Sequence, residues 1–381
     1  MNPKPSQYVY VVYAGPLQTK GRLFRQLQSL TSAGVKCELI VGSPQPERDQ
    51  AVDAGCPTHV IPIKQTSGPL QSFITLKRFC DQAGDIVAKS GADTVLCLGL
   101  GCWRAGAKAK RIRPEIRLIL DCNEMNIEAI DQRLKKWIWA AIERKCLSAA
   151  NIVFHAESNR MRIYSERYPQ LKGKRQILVE NFPPFAPQYL QKPRPGDQIR
   201  VVYLGGFGAG RFTDEIIKTF SEISSDYKLD IVGYGCPDYV ERIKADLLNR
   251  NVSNVRILPA IPHAEILDFL SDYDIGLAFY RNTNLNNYYC APNKVYDYLM
   301  AGLPVITNDY PGLIDVVERN SVGACVSSVD NVHIEAAILR IVNDRLVENI
   351  TPELQSRYSW EYQLPNYLEA YGIDATEGRL Q

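Results

Sequence analysis

Short apolar runs alternate with amphipathic stretches along the whole chain. Seven runs in the first half have the length and composition of strands, and they cover residues 8–13, 37–41, 59–63, 94–97, 117–121, 152–155 and 176–179. The spacing of apolar residues is typical of helices at residues 20–33, 70–89 and 127–149. Because the strands are apolar throughout and helices separate them, the pattern predicts a parallel sheet covered on both faces.

The same pattern starts again in the second half of the chain. Residues 9–15 and residues 201–206 each form an apolar strand that runs into a glycine turn. Further strands are predicted at residues 229–232, 255–258, 275–279, 305–307 and 324–326. A repeated opening of this kind predicts two similar α/β domains rather than one long sheet. We place the first domain at residues 1–184 and the second at residues 199–358.

Proline marks the predicted junction between the two domains. Prolines are frequent in residues 182–188 and 192–197, so we expect an exposed linker here, bounded at residues 185–198. Residues 359–381 are predicted to form a helix that packs back on the first domain, followed by a loose tail.

The composition excludes several classes of protein. The 381 residues carry a net charge of +2, which excludes a strongly basic nucleic-acid-binding protein on bulk charge. The 10 cysteines form no CxxC pair and no zinc-ligand spacing, so we expect reduced thiols and no metal site. The first residues lack a signal-peptide pattern, and no apolar run approaches the roughly 18 residues of a membrane-spanning helix. We therefore predict a cytoplasmic protein.

One part of the first domain is locally basic despite the balanced charge of the whole chain. It contains Trp137 and Trp139 together with seven basic residues, namely Lys108, Lys110, Arg111, Arg113, Arg133, Lys135 and Lys136. Two interpretations are open. The segment is a solvated helix face with one or two buried tryptophans, or it contacts the inner face of an anionic membrane or a phosphate-bearing acceptor.

Glycine-rich turns follow the first two strands of the second domain. Gly205 and Gly206 would let backbone amides approach an anion, and Arg211 adds a guanidinium suited to phosphate. Gly233 and Gly235 end the next strand and would leave room for a flat base or a ribose.

The first domain also has glycine turns at strand ends. Gly15 follows the first strand, as Gly205 does in the second domain, and we include it among the predicted binding residues. A second turn, at residues 99–106, lacks the spacing of a dinucleotide-binding motif. We interpret it as a packed strand-to-helix turn.

A helix predicted in the second half is the most informative segment. Pro292 suits its first turn, which would place backbone amides near Asn293 and Lys294 at an N-terminus that favours anions. Asp297 lies about one turn further on, where a carboxylate could accept hydrogen bonds from a ribose. Gly302 ends the helix before the next strand. Ordinary capping electrostatics would explain each residue alone, but the combination is less common than its parts.

This segment resembles the donor-binding motif of the family 4 glycosyltransferases, which have the GT-B fold of two facing Rossmann-like domains. The resemblance extends to the glycine turns of the second domain and to residues 254–262, where it places Ile261 against the base of the donor. Residues 118–124 and 142–154 of the first domain also resemble the family.

The resemblance implies a retaining glycosyltransferase, of the hexosyltransferase class, that needs neither a metal nor a cofactor. It would move a sugar from a nucleotide-diphosphate donor to a sugar, lipid-linked or small-molecule acceptor in glycan, polysaccharide or glycoconjugate biosynthesis. Arg211 and Lys294 would be its catalytic residues, because they would stabilise charge on the leaving diphosphate. The donor would contact Gly15, Gly205, Gly206, Gly233, Gly235, Ile261, Asn293 and Asp297.

Three features depart from the family pattern. The family carries two glutamates separated by seven residues, and Tyr289 and Asp297 stand at these positions here. Lys218 is the nearest lysine after the phosphate-binding arginine, but its spacing is unusual and we assign it no role. Asn123 and Glu124 stand where many members have a histidine. Two alternatives stay open: a non-catalytic sugar-nucleotide-binding protein, and a sugar-nucleotide epimerase on the same fold.

Overall fold

The computed structural model describes residues 7–17, 21–64, 68–130, 132–191, 198–208, 211–290 and 293–374. Three predicted features lie outside the described residues, namely the second proline-rich stretch at residues 192–197, the helix-opening Pro292 and the tail from residue 375. The chain divides into two compact units. Unit 1 comprises Met1–Glu180 and Gln363–Gln381, and unit 2 comprises Asn181–Tyr362.

Unit 1 is built on a parallel sheet of seven strands. The strands are β1 (Tyr8–Ala14), β2 (Lys36–Ser43), β3 (Thr58–Pro62), β4 (Thr94–Leu98), β5 (Arg117–Cys122), β6 (Ile152–His155) and β7 (Arg175–Leu178), in the order β3-β2-β1-β4-β5-β6-β7. The helices are α1 (Gly21–Ser32), α2 (Pro46–Gln50), α3 (Pro69–Lys89), α4 (Leu100–Ile112), α5 (Arg133–Ala149) and α6 (Ser158–Arg167). All seven predicted strands are present, because a parallel sheet buries long apolar runs.

The prediction of one helix at residues 127–149 is wrong for the first turn of that range. A short 3-10 helix, Asn126–Ala129, comes first, and α5 begins only at Arg133. Met125 and Ile127 are buried in the core of unit 1, and the residue after the 3-10 helix is extended (φ −97°, ψ 110°). The apolar spacing of this segment therefore spans two elements, the 3-10 helix and α5, because apolar residues of both elements are buried while an extended residue separates them.

The turn at residues 99–106 is a packed strand-to-helix turn. Gly99 has a positive φ of 80°, and α4 begins at the next residue. A Cβ on Gly106 would lie 2.4 Å from Cδ1 of Leu118. Glycine therefore lets α4 approach the sheet more closely than any residue with a side chain would.

Unit 2 is built on a second parallel sheet, of six strands. The strands are β8 (Ile199–Leu204), β9 (Tyr227–Gly233), β10 (Val255–Pro259), β11 (Ile275–Ala278), β12 (Val305–Asn308) and β13 (Gly323–Val326), in the order β10-β9-β8-β11-β12-β13. The helices are α7 (Thr213–Glu222), α8 (Pro237–Asn249), α9 (Ile266–Leu270), α10 (Leu285–Tyr288), α11 (Asn293–Met300), α12 (Pro311–Val317), α13 (Asn331–Asn343) and α14 (Pro352–Arg357).

The expectation of an exposed linker at residues 182–188 is wrong for the beginning of this stretch. Phe182 is buried, and its ring packs edge-on against Tyr296 with 4.7 Å between the ring centroids. The backbone N–H of Trp360 donates a hydrogen bond to the carbonyl oxygen of Pro183 (2.8 Å). The prolines suggested solvent exposure, but the aromatic residue ahead of them is held in the core of unit 2.

The C-terminal helix, α15 (Trp360–Glu369), begins in unit 2 and ends in unit 1. Within unit 1, Tyr367 is fully buried and its ring centroid lies 5.6 Å from that of Phe154. The hydroxyl of Tyr367 donates to the carbonyl oxygen of Gln26 (3.2 Å). As the sequence predicts, the chain returns at its end to the core of the unit in which it began.

Candidate functional site

The chain changes its direction across the sheet of unit 2 at β8. From β8 it proceeds to β9 and β10 on one side, and it then crosses to β11, β12 and β13 on the other side. The loops that follow β8 and β11 therefore diverge and leave a crevice at the carboxyl edge of the sheet. Open parallel sheets bind their ligands at such a crevice.

Glycines form the backbone surface at this edge. Gly205 and Gly233 have positive φ values of 117° and 150°, and the N–H of Gly205 donates to the carbonyl oxygen of Val232 (2.8 Å). A Cβ on Gly233 would lie 2.1 Å from the carbonyl oxygen of Gly205, and a Cβ on Gly235 would lie 2.4 Å from the ring of Phe207. Both turns therefore require glycine. We call the surface formed by Gly205, Gly206, Gly233 and Gly235 the glycine floor.

Lys294 extends from the first turn of α11 onto the glycine floor. A Cβ on Gly205 would lie 2.7 Å from Cε of Lys294, so the lysine occupies space that only glycine leaves open. Its Nζ lies 4.0 Å from the centroid of the Tyr203 ring and 6.0 Å from that of Tyr280. Among the described residues, no carboxylate forms an ion pair with this ammonium. Burial, and secondly the guanidinium of Arg211, lower the pKa of Lys294 to about 7.

The next turn of α11 anchors the helix to the strands beneath it. Tyr298 is fully buried, and its hydroxyl accepts a hydrogen bond from the N–H of Leu204 (2.9 Å) and donates one to the carbonyl oxygen of Leu277 (3.0 Å). Its ring lies so close to Gly276 that a Cβ there would be 2.4 Å from it. Because residues four apart lie on the same helix face, this anchor also fixes the direction of Lys294.

Arg281 holds the backbone at Arg211. The carbonyl oxygen of Arg211 accepts hydrogen bonds from Nε (3.1 Å) and Nη2 (2.9 Å) of Arg281. Arg281 also pairs with Glu215 (Nη2 to Oε1, 2.5 Å) and lies 4.6 Å from the centroid of the Phe212 ring. The side chain of Arg211 stays exposed. Sequence reasoning missed Arg281, although its place three residues after β11, at the same carboxyl edge, could have indicated it.

Asp297 brings a negative charge to the same crevice. It is partly buried on α11, and its charge acts on the phenol of Tyr280. Burial is the main cause that raises the pKa of Tyr280, while Asp297 adds to the increase and Arg211 opposes it. The carboxylate of Asp297 and the guanidinium of Arg211 therefore both lie near the partly buried ring of Tyr280.

The structure places most of the predicted site residues around this crevice. The glycine floor lies in unit 2 together with Arg211, Lys294 and Asp297. Asn293 is exposed as the first residue of α11, and Ile261 follows β10 and packs, partly buried, against the core of unit 2. Gly15, the remaining predicted residue, lies in unit 1. It follows β1, and its N–H donates to the carbonyl oxygen of Gly42 (2.9 Å).

The described residues contain neither a metal-binding cluster nor a membrane-spanning helix. Nowhere in the described ranges do three or more His, Cys, Asp or Glu side chains lie in positions that could hold a metal ion. No helix within these ranges has both the length and the apolar character needed to cross a bilayer.

Comparisons with known proteins relate this geometry to glycosyltransferases. Residues 207–351 match the family model described as Glucosyltransferase 3-like, C-terminal domain. No curated protein matches the chain. Sucrose-phosphate synthase from Thermosynechococcus elongatus has a similar structure, with a TM-score of 0.70 and 19% identity over 96% of this chain and 98% of that one.

Two further solved structures are similar at lower identity. HepE from Anabaena, in complex with UDP and glucose, has a TM-score of 0.69 and 12% identity over 95% of this chain and 99% of that one. A putative UDP-N-acetylglucosamine 2-epimerase from Listeria monocytogenes has a TM-score of 0.60 and 13% identity over 95% of each chain. These similarities, with parallel sheets of seven and six strands, show that the chain has the GT-B fold. The part of unit 2 that contains Arg211, Lys294 and Asp297 is similar to the C-terminal domain of glucosyltransferase 3-like proteins.

Proposed function

We propose that this chain is a retaining glycosyltransferase that moves a hexose from a nucleotide-diphosphate donor to an acceptor. One observation supports the proposal most strongly. Lys294 lies against the glycine floor at the carboxyl edge of the unit 2 sheet, close enough to Arg211 for the guanidinium to lower its pKa. The family-model match of residues 207–351 supports it. Because HepE holds UDP and glucose, UDP-glucose is the first donor to test.

The chemistry of the crevice suits a nucleoside diphosphate. The glycine floor lets phosphate oxygens approach backbone that carries no side chains. Lys294 would supply an ammonium from the glycine floor, and Arg211 would supply a guanidinium from the solvent-exposed side. Both groups form short, charge-assisted hydrogen bonds with phosphate. Asp297, which acts on the same phenol as Arg211, would accept hydrogen bonds from the ribose hydroxyls. The acceptor would be a sugar, a lipid-linked sugar or a small molecule.

In the proposed reaction, the bond between C1 of the sugar and the phosphate oxygen breaks, and C1 forms a new bond to an acceptor oxygen. The leaving diphosphate gains negative charge, and the acceptor proton passes to one of its oxygens. Lys294 and Arg211 stabilise that charge in the role that a divalent metal has in other transferases. Attack from the face that the leaving group occupied would retain the anomeric configuration.

Two observations favour alternative functions. Tyr289 stands where the family resemblance implies a glutamate, and it packs edge-on against Tyr288 with 4.9 Å between the ring centroids. A site without that carboxylate also suits a non-catalytic sugar-nucleotide-binding protein. The similarity to the putative epimerase from Listeria favours a sugar-nucleotide epimerase on the same fold.

The decisive experiment is turnover of a panel of nucleotide sugars, with the released nucleotide and the sugar product measured separately. A transferase releases the nucleoside diphosphate and transfers the sugar, an epimerase changes the sugar, and a binding protein does neither. We expect Lys294→Met and Arg211→Ala each to lower turnover by roughly a hundredfold or more, the effect of removing one preorganised transition-state donor.

Matched variants remove charge elsewhere in unit 2. Lys218 is exposed on α7 and Arg345 is exposed after α13, so Lys218→Met and Arg345→Ala should turn over at the wild-type rate. Melting temperatures show whether each variant is folded. Near-normal turnover of both site variants at saturating donor would refute the site assignment.

A further inference from the structure

The nearly neutral charge of the whole chain conceals opposite charges on its two units. Unit 1 contains 28 lysines and arginines against 19 aspartates and glutamates, whereas unit 2 contains 16 against 23. Such an asymmetry within one chain is typical of a protein that presents one part to a polyanionic surface. The site at the glycine floor does not explain it, because that site lies in the acidic unit.

The excess of positive charge is accompanied by exposed apolar side chains on α5. Leu134 and Trp137 are 73% and 70% exposed, although large apolar residues are usually buried. They are three residues apart and share one face of the helix. The opposite face contains Glu143, Cys146 and Leu147, which are buried in unit 1. The helix is therefore anchored on one side and presents an apolar ridge on the other.

Cations that form no ion pair within the described part of the chain surround this ridge. Arg133, Lys135, Arg144 and Lys145 are exposed on α5, and none of them forms an ion pair with another described residue. On an exposed helix face, acidic residues three or four positions away would form stabilising pairs with such cations. The only carboxylate of α5, Glu143, is buried and accepts hydrogen bonds from two tyrosines. The outward face is thus both apolar and purely cationic.

A basic groove lies beside Trp137. Arg133, Arg144 and Tyr168 line it together with Glu128, whose charge is balanced by ion pairs to Lys136 and Arg167. Among the described residues, Arg133 and Arg144 therefore have no counter-ion in the groove. A lipid headgroup phosphate is the kind of anion that would lie there while the indole ring enters the membrane interface.

We propose that the outward face of α5 docks unit 1 onto an anionic membrane surface. Leu134 and Trp137 would insert at the boundary between headgroups and acyl chains, and Arg133, Lys135, Arg144 and Lys145 would contact anionic headgroups around them. A nucleic acid would use the cations but would leave the leucine without an apolar environment, so the observations favour a lipid surface. Docking requires no unfolding, because the buried face of α5 stays packed in unit 1.

The test is co-sedimentation of the full chain with vesicles of phosphatidylglycerol and phosphatidylcholine in equal parts, and with vesicles of phosphatidylcholine alone. We expect binding to the mixed vesicles at low salt, weaker binding at high salt and weak binding to phosphatidylcholine. Arg133→Ser with Arg144→Ser should weaken binding by about 25-fold, at roughly fivefold for each charge. Trp137→Ser with Leu134→Ser should weaken it by about tenfold or more.

Matched controls come from the acidic unit. Leu248, on α8, is 76% exposed, and Arg319 is exposed after α12, so Leu248→Ser and Arg319→Ser should bind vesicles as the wild type does. All these variants should keep wild-type donor turnover, which separates this proposal from the proposed function. The proposal is refuted if the protein does not bind mixed vesicles at low salt. It is also refuted if soluble polyphosphate binds equally well to wild type and to the Trp137 and Leu134 variant and displaces the protein from vesicles, because the surface would then bind polyanions rather than membranes.

Discussion

The affinity for a nucleotide sugar should fall as pH rises, because Lys294 must take up a proton when the diphosphate binds. In the ligand-free protein, burial and the nearby Arg211 lower the pKa of Lys294 to about 7. Since this pKa is lowered, the lysine is protonated below pH 7 and becomes neutral above it. A bound diphosphate favours the charged form and should restore the pKa toward its ordinary value of about 10.4.

The size of the effect follows from these two pKa values. About half of the ligand-free molecules carry the proton at pH 7, and about one in ten carries it at pH 8. The apparent dissociation constant is the intrinsic constant divided by the protonated fraction, so it should rise about fivefold from pH 7 to pH 8 and about tenfold from pH 8 to pH 9. Below pH 7 it should fall by no more than about twofold.

Isothermal titration calorimetry measures both consequences directly. A nucleotide sugar is the correct ligand, because its diphosphate diester does not titrate between pH 6 and pH 9. Repeating the titration in buffers of different ionisation enthalpy gives the number of protons taken up, which should be about 0.5 at pH 7 and about 0.9 at pH 8.

Three variants isolate the contribution of Lys294. Lys294→Arg keeps its charge at every pH, so its affinity should not change with pH. Lys294→Met should bind weakly and without pH dependence, and Lys218→Met should behave as the wild type does. If the wild type binds equally well at pH 6 and pH 9 without proton uptake, or if Lys294→Met keeps the same pH dependence, the reasoning about this lysine is wrong.

Four further predictions concern the support of the site. Arg281→Ala should weaken nucleotide-sugar binding by about tenfold and Arg281→Lys by nearly as much, because a lysine replaces the two bonds to the carbonyl of Arg211 with at most one; wild-type affinity in both titrations would contradict this. Asp297→Ala should weaken binding of the free nucleoside diphosphate by about tenfold with little change in melting temperature, whereas a lower melting temperature with unchanged affinity would make Asp297 a helix-end charge only. Tyr298→Phe leaves the N–H of Leu204 unpaired and should lower the free energy of unfolding by about 1–3 kcal/mol in urea titrations, and an unchanged unfolding midpoint would argue against that anchor. Turnover should survive EDTA, and loss of activity with full recovery on adding magnesium or manganese would refute a metal-independent mechanism.

The fold was predictable from sequence because its signal is repeated many times. Every strand of a parallel sheet is buried on both faces, so each reads as an apolar run with turns on either side. The two misjudged segments have local causes. In residues 127–149, one helical periodicity of apolar residues runs across two elements. The prolines that follow Phe182 indicate solvent exposure, although the ring of Phe182 packs into unit 2.

The candidate site was only partly predictable. The glycines, Arg211, Lys294 and Asp297 follow from local motifs, since each stands in a turn or loop that follows a strand or on one short helix. Arg281 has no motif of its own, and its role depends on a backbone carbonyl 70 residues away in sequence. The lowered pKa of Lys294 depends equally on tertiary structure, because it results from burial and from an arginine on another loop.

The opposite charges of the two units are already visible in the sequence, because residues 1–190 contain 27 lysines and arginines against 16 aspartates and glutamates, whereas residues 191–381 contain 17 against 26. The finding that the cations on α5 pair with no described residue requires coordinates, because sequence spacing alone does not show that Glu143 is buried.

The most direct test of the central claim is a proton NMR time course of the preferred nucleotide sugar with the enzyme and an acceptor. The anomeric signals report the fate of the sugar in one sample. We predict loss of the donor signal, release of the nucleoside diphosphate and a new glycoside signal with the donor's anomeric configuration, all lost in Lys294→Met. A sugar that changes configuration at another carbon, or a donor that is bound but never consumed, would contradict the account.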